Sequence, residues 1–245
     1  MWNGCADPRF PFRRCGGHPL RFPGADTVVG IRIPLFLLLF SLTLSSPLLA
    51  QELVRPRFWG LPRIQRFQPE QYQAHPQNWA LAQDRSGRLW AGNNSGLLSF
   101  DGQTWSFLET PNSSRVRSLV TGPTGRVYWG AVDELGWVEP GPEGTFTCHS
   151  LKEHLPPTFF PLGDVWDVLS EGPFVLFCTD RGLIRFEEAG NRIEVLPWPQ
   201  GSLYYKAFPF PEGAAVLLIN QGLFRYRAQP HKLSLLPGGQ AFASH

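Results

Sequence analysis

The chain has 245 residues, a formal net charge of +2, 13% aromatic and 17% charged residues, with 25 Gly and 24 Pro. So many turn formers in a chain of ample apolar content argue for a β-rich protein, and against a helical bundle or a disordered chain. Arg9, Arg13, Arg14, Arg21 and Arg32 outweigh Asp7 and Asp26 in the first fifty residues, which leaves 17 bases and 18 acids over 51–245 and no charge surplus of the kind nucleic acid requires.

Residues 1–30 are rich in Pro, Gly and Arg without periodicity and read as an unstructured extension. Residues 31–50 follow the order of a secretory signal peptide: Arg32, an apolar stretch from Ile33 to about Leu44, then Pro47 and a small residue, Ala50, at the cut. The stretch is short for a membrane span and is bracketed by Pro34 and Pro47, so cleavage after Ala50 and a periplasmic product are expected. A signal peptide seldom begins thirty residues into a chain, so the natural start is expected near Val28 or Val29. Arg13-Arg14 stands too far upstream for a twin-arginine signal. Residues 51–77 read as a linker.

From residue 78 a pattern recurs. GLLSFDG (96–102), GWVEPG (136–141), GLIRFEE (182–188) and GLFRYRA (222–228) begin at Gly96, Gly136, Gly182 and Gly222, spaced by 40, 46 and 40. Each is preceded by a strand-like run (RLWAGNN, RVYWGAV, FVLFCTD, AVLLIN), and before that by a turn (DRSG, GPTG, SEGP, FPEG) and another strand (NWALAQ, RVRSLVT, DVWDVLS, LYYKAFP). A fourth strand follows each glycine run. Alternation at period two indicates extended strands, and a period of about 40–45 residues suits a four-stranded propeller blade. The expected fold is therefore all-β: four antiparallel blades at 78–114, 115–163, 164–202 and 203–245, the last including GGQAFASH as the start of a fifth inner strand.

The first unit carries Asp84, Gly87, Leu89, Trp90, Gly92, Gly96, Leu97, Phe100, Asp101 and Gly102 in the order D-x-x-G-x-L-W-x-G-x-x-x-G-L-x-x-F-D-G. This resembles the two-component regulator propeller repeat, over about residues 64–240. The resemblance implies an extracytoplasmic ligand-binding sensor module, normally followed by a Tyr-rich β-sandwich, a transmembrane helix and a kinase or DNA-binding output. Some relatives sense glycan fragments. The resemblance makes the motif residues, with Gly136, Gly182 and Gly222, scaffold rather than ligand contacts. No output domain follows, so a truncated sensor is expected, with a homodimer or a missing C-terminal sensor half completing it. A secreted glycan lyase or hydrolase and a periplasmic interaction scaffold are the alternatives.

No catalytic triad, nucleophile elbow or metal-binding spacing is present, so no catalytic residue, metal or cofactor is expected. Trp79, Trp166, Tyr204 and Tyr205 lie on inner strands, where they would stack on a small ligand such as a glycan fragment, or simply pack between blades. His149 and His154 read as surface histidines. Asp133-Glu134 reads as a solvated turn, with a ligand or cation contact as the alternative, and Glu187-Glu188 as a hairpin turn. Cys148 and Cys178 read as separate buried thiols, with a disulfide as the alternative.

N-terminal sequencing of the secreted product should read from Gln51; a product that retains residues 1–27 would overturn both the start near Val28 and the cleavage.

Overall fold

The computed structural model describes residues 64–243. The N-terminal extension, the signal peptide and the first part of the linker lie outside the described residues. Sixteen strands form four four-stranded antiparallel meanders. Blade 1 comprises β1 (Asn78–Gln83), β2 (Leu89–Asn93), β3 (Gly96–Phe100) and β4 (Trp105–Leu108). Blade 2 comprises β5 (Val116–Thr121), β6 (Val127–Ala131), β7 (Leu135–Pro140) and β8 (Phe146–Ser150). Blade 3 comprises β9 (Val165–Glu171), β10 (Phe174–Thr179), β11 (Gly182–Glu187) and β12 (Arg192–Pro197). Blade 4 comprises β13 (Leu203–Phe210), β14 (Gly213–Ile219), β15 (Gly222–Arg227) and β16 (Lys232–Leu235). The inner strands β1, β5, β9 and β13 neighbour one another in that order. No described helix is long and apolar enough to cross a membrane.

The core consists of blade-to-blade interfaces. In β10, Val175 and Phe177 pack with Tyr128, Leu135 and Trp137 of blade 2, while Phe174, Leu176 and Cys178 pack with Val216, Leu218 and Tyr226 of blade 4. Trp129 and Val127 of β6 likewise meet Trp90 and Leu97 of blade 1. A strand buried on both faces must be apolar throughout, which is why β6 and β10 read as continuous apolar runs. Burying each large side chain contributes about 1.5–3 kcal/mol.

The repeat glycines share a steric reason. A Cβ on Gly96, Gly136 or Gly182 would lie 2.6, 1.8 or 2.5 Å from the carbonyl oxygen of Leu108, His149 or Leu196, each on the fourth strand of its blade. On Gly222 it would lie 2.4 Å from the Gly239 oxygen. Gly92 has a related role between blades, where a Cβ would come within 2.9 Å of the Val116 carbonyl on β5.

Two segments differ from expectation. Part of the linker is structured: the short helix α1 (Pro69–Tyr72) and Phe67 cover the outer face of blade 1, with Phe67 edge-on to Phe100 and Trp105, and Tyr72 against Ala91 and Leu98. Leu81, Leu89 and Phe107 remain exposed. At the other end, Gly239–Phe242 forms a 3-10 turn against β15 rather than a fifth inner strand. Gly238 (φ 76°) reverses the chain, and the Gly239 N–H donates to the Leu236 carbonyl.

In the DRSG turn, Asp84 accepts from the N–H groups of Ser86 (2.9 Å) and Arg88 (3.0 Å), the Ser86 hydroxyl (2.6 Å) and Trp90 Nε1 (2.9 Å). Partial burial opposes its charge, but these donors prevail and hold the carboxyl below its ordinary value. The same logic, on an exposed loop, lowers Asp101 through the N–H groups of Thr104 and Gln103.

Two variants test these points. Gly136→Ala should cost about 1–3 kcal/mol in urea unfolding, because β8 must move to admit the methyl group; an unchanged midpoint would refute the crowding argument. Asp84→Ala should cost about 2 kcal/mol at neutral pH. A depressed folded-state pKa stabilises above the unfolded value, about 3.9, and that stability is lost as pH falls through the folded value. The gap between the two proteins should therefore narrow below about pH 4; a gap constant down to pH 2 would sink the assignment.

Candidate ligand-binding site

Each inner strand carries one unpaired residue at the same place. Between β1 and β2, Asn78 pairs with Asn93 and Ala80 with Gly92, which leaves Trp79 without a partner. The same shift leaves out Arg117 between Val116 and Ser118, Trp166 between Val165 and Asp167, and Tyr205 between Tyr204 and Lys206. These are β-bulges, which re-aim a side chain and recur at rims and sites. The result is a row of one residue per blade along the rim formed by the β2–β3, β6–β7 and β10–β11 turns. Trp79, Trp166 and Tyr205 are 41, 37 and 62% exposed. Large aromatics left this exposed, in register across blades, form a stacking surface.

Arg117 sits between the two indoles. Its guanidinium carbon lies 4.1 Å from the Trp79 ring centroid and 4.8 Å from that of Trp166. Its Nε donates to Asp164 at 3.0 Å, and Arg115 approaches the same oxygen at 3.9 Å. Asp180 accepts from Trp166 Nε1 (2.8 Å) and from the Asp164 backbone N–H (2.9 Å), while Trp79 Nε1 reaches Asn94 at 3.4 Å. Both indole N–H groups are thus directed into the scaffold. Lys206, beside Tyr205, is paired with Asp167. The rim therefore presents ring surface, with its flanking cations neutralised.

The structure separates Tyr204 from this set. Its ring stacks on Trp198 (5.5 Å) and its hydroxyl donates to the buried Asp167, which also accepts from the Ala207 N–H. Burial pushes its phenol well above the ordinary range. Tyr204 locks blade 3 to blade 4.

The scaffold set lies elsewhere. Trp90 and Leu97 are buried between blades 1 and 2, Phe100 stacks on Trp105, and Leu89 is exposed on the outer face. Gly87 and Gly102 occupy turns at φ 89° and 101°. Gly182 and Gly222 start their strands, and Gly136 follows the first residue of its own, against the carbonyls described above. On the opposite edge, a groove of about 360 Å³ opens between blades 1 and 2, over Trp90, Val138 and Phe146.

Asp133-Glu134 is no solvated turn. Asp133 accepts from the Leu162 (2.6 Å) and Gly163 (3.0 Å) N–H groups, and the buried Glu134 accepts from the Ser150 hydroxyl (2.6 Å). The pair ties the blade 2 to blade 3 connection to β7. His149 lies edge-on to Trp137 at 4.1 Å in β8, and His154 is exposed in a 3-10 turn. Glu188 is half-buried and bridges to Arg126 (3.4 Å) and the Thr124 hydroxyl (2.6 Å) of blade 2. Cys148 and Cys178 are both free. Burial pushes the Cys148 thiol up to about 12 and Cys178 higher still, with the charge of Glu134 and of Asp167 adding to it. Neither is primed as a nucleophile.

Arg117, Asp164, Asp180 and Asn94 escaped the sequence reading. The signal available was the position of Arg117 in RVRSLVT, in step with Trp79 and Trp166, but a lone Arg at the start of a strand looks like a solvated one.

No protein-family model matches the sequence, and no curated protein matches it. Solved structures do. One is the extracellular domain of a B. thetaiotaomicron protein described as a hybrid two-component system, 18% identical over 69% of this chain, with a TM-score of 0.51. Another is virginiamycin B lyase from Staphylococcus aureus, 12% identical over 65% of this chain, with a TM-score of 0.50. The chain spans 26% of the first and 56% of the second. At these identities the likeness establishes the fold alone: the described residues form four blades of a β-propeller.

Proposed function

We propose that this chain is the ligand-binding propeller of an extracytoplasmic sensor, which recognises a small ligand, a glycan fragment, without turning it over. The observation that carries the reading is the bulge row: Trp79, Trp166 and Tyr205 exposed at equivalent positions of three inner strands. Sugar rings stack their C–H faces on such surfaces, and a ligand spanning several blades would report on their relative placement. The rim carboxylates support binding over catalysis. Asp164, Asp167 and Asp180 are each engaged by donors of the scaffold, whereas general acid–base work needs a group free to exchange its proton with substrate. Secretion follows from the signal peptide, and transmission to an output would need the partner segments that the repeat resemblance implies.

The test is a panel of neutral and acidic oligosaccharides, read both by thermal unfolding and by chromatography of the sugars. At a hundredfold excess over Kd a ligand stabilises by about 2.7 kcal/mol, a shift of roughly 5–10 °C for a domain of this size. A shift that is lost in Trp166→Ala, with every sugar recovered intact, is the expected result. Cleaved or eliminated products would favour the enzyme reading, and no shift across the panel would remove the glycan.

A further inference from the structure

Three members of the bulge row are aromatic and exposed; the fourth is neither. The Arg117 side chain is 10% exposed, against 44% for its neighbour Arg115. A cation so enclosed is poorly placed to greet a ligand, and its surroundings indicate what it does instead. Trp79 belongs to blade 1, Arg117 to blade 2 and Trp166 to blade 3, so the stack crosses two blade junctions. A guanidinium is planar and weakly hydrated, and it can hold one aromatic ring against each face; an ammonium cannot do this.

We propose that Arg117 is the positioning residue of the rim: anchored by Asp164, its guanidinium fills the slot between Trp79 and Trp166 and sets both indoles for ligand. The proposal rests on the rim being the ligand face. The anchor is itself anchored, because Asp180 binds the Asp164 backbone through one oxygen and Trp166 Nε1 through the other. The restraint on the two indoles is unequal. Trp166 keeps its 2.8 Å bond to Asp180 when Arg117 is removed, whereas Trp79 keeps only the 3.4 Å contact with Asn94. Loss of Arg117 should therefore release Trp79 more than Trp166.

The experiment is ¹⁹F NMR of the full chain labelled with 5-fluorotryptophan, with Trp79→Phe and Trp166→Phe to assign two of the nine tryptophan resonances. Arg117→Met should move both resonances, change the Trp79 linewidth the more, and leave the remaining resonances dispersed as proof of folding. Arg117→Lys, which retains the charge beside Asp164 but not the planar stack, should move the same pair. In Arg117→Ala, added methylguanidinium should refill the slot and return both resonances toward their original positions, while methylammonium should not. Affinity for whichever oligosaccharide the panel yields should fall about five- to tenfold in Arg117→Met, because indoles no longer held in place must be ordered on binding. Unmoved Trp79 and Trp166 resonances would overturn the clamp whatever the protein binds. Moved and rescued resonances with unchanged affinity would overturn the positioning role but leave the ligand reading standing. If they are moved and rescued in a protein that binds no sugar of the panel, the ligand reading fails and takes the positioning role with it.

Discussion

A four-stranded blade cannot bury either of its faces by itself. This constraint accounts for most of the chain. Because β6 and β10 are covered on both sides, their residues are apolar without alternation, and every second side chain belongs to a different core. Tyr128 serves blade 3 while its neighbours Val127 and Trp129 serve blade 1. Close approach then dictates the glycines, since the glycine at or next to the start of each third strand meets a carbonyl where a Cβ would have to sit. It also explains why residues ahead of the first blade are used as a lid. Blade 1 has no predecessor among the described residues, so Phe67 and Tyr72 stand in for one over Ala91, Leu98 and Phe100.

The polar groups follow from the same economy. Turns and blade junctions strand backbone N–H groups, and a carboxylate satisfies several at once. Asp84 does so in the first turn and Asp133 between blades 2 and 3, while Asp167 between blades 3 and 4 and Asp180 along the rim each combine one backbone N–H with side-chain donors. Acidic residues that look like chemistry in a sequence are thus committed to architecture. The ring faces of Trp79, Trp166 and Tyr205 stay exposed beside them.

This division explains what could be read from the sequence. The blades were legible because each column of glycines and apolar residues reflects a local requirement, a tight turn or a buried strand, repeated at a fixed spacing. Trp79, Trp166 and Tyr205 could be singled out as inner-strand aromatics, but Tyr204 could not be told from Tyr205. The two differ only in register, and a one-residue bulge turns one to the rim and leaves the other against Trp198. Arg117 was invisible for a related reason: its partners lie 38 and 49 residues away, on neighbouring blades. Glu134 read as solvated because its turn is polar, yet it is buried, where it accepts from the Ser150 hydroxyl at the end of β8.

The bulge is also where the scaffold leaves room for function. Along the rest of an inner strand, alternation is fixed by packing: Ala80 and Ala82 lie against blade 2, Ser118 donates to the Val165 carbonyl of blade 3, and Ala207 is buried against it. A change of residue there disturbs an interface. The unpaired residue belongs to neither phase of the alternation, so its side chain is free of the cores on either side. Four blades that keep the same glycines and the same apolar columns can therefore place Trp, Arg, Trp and Tyr at that one position without altering their fold. A propeller that had to vary its recognition surface while preserving its interfaces would do so here, because the bulge separates the two demands within a single strand.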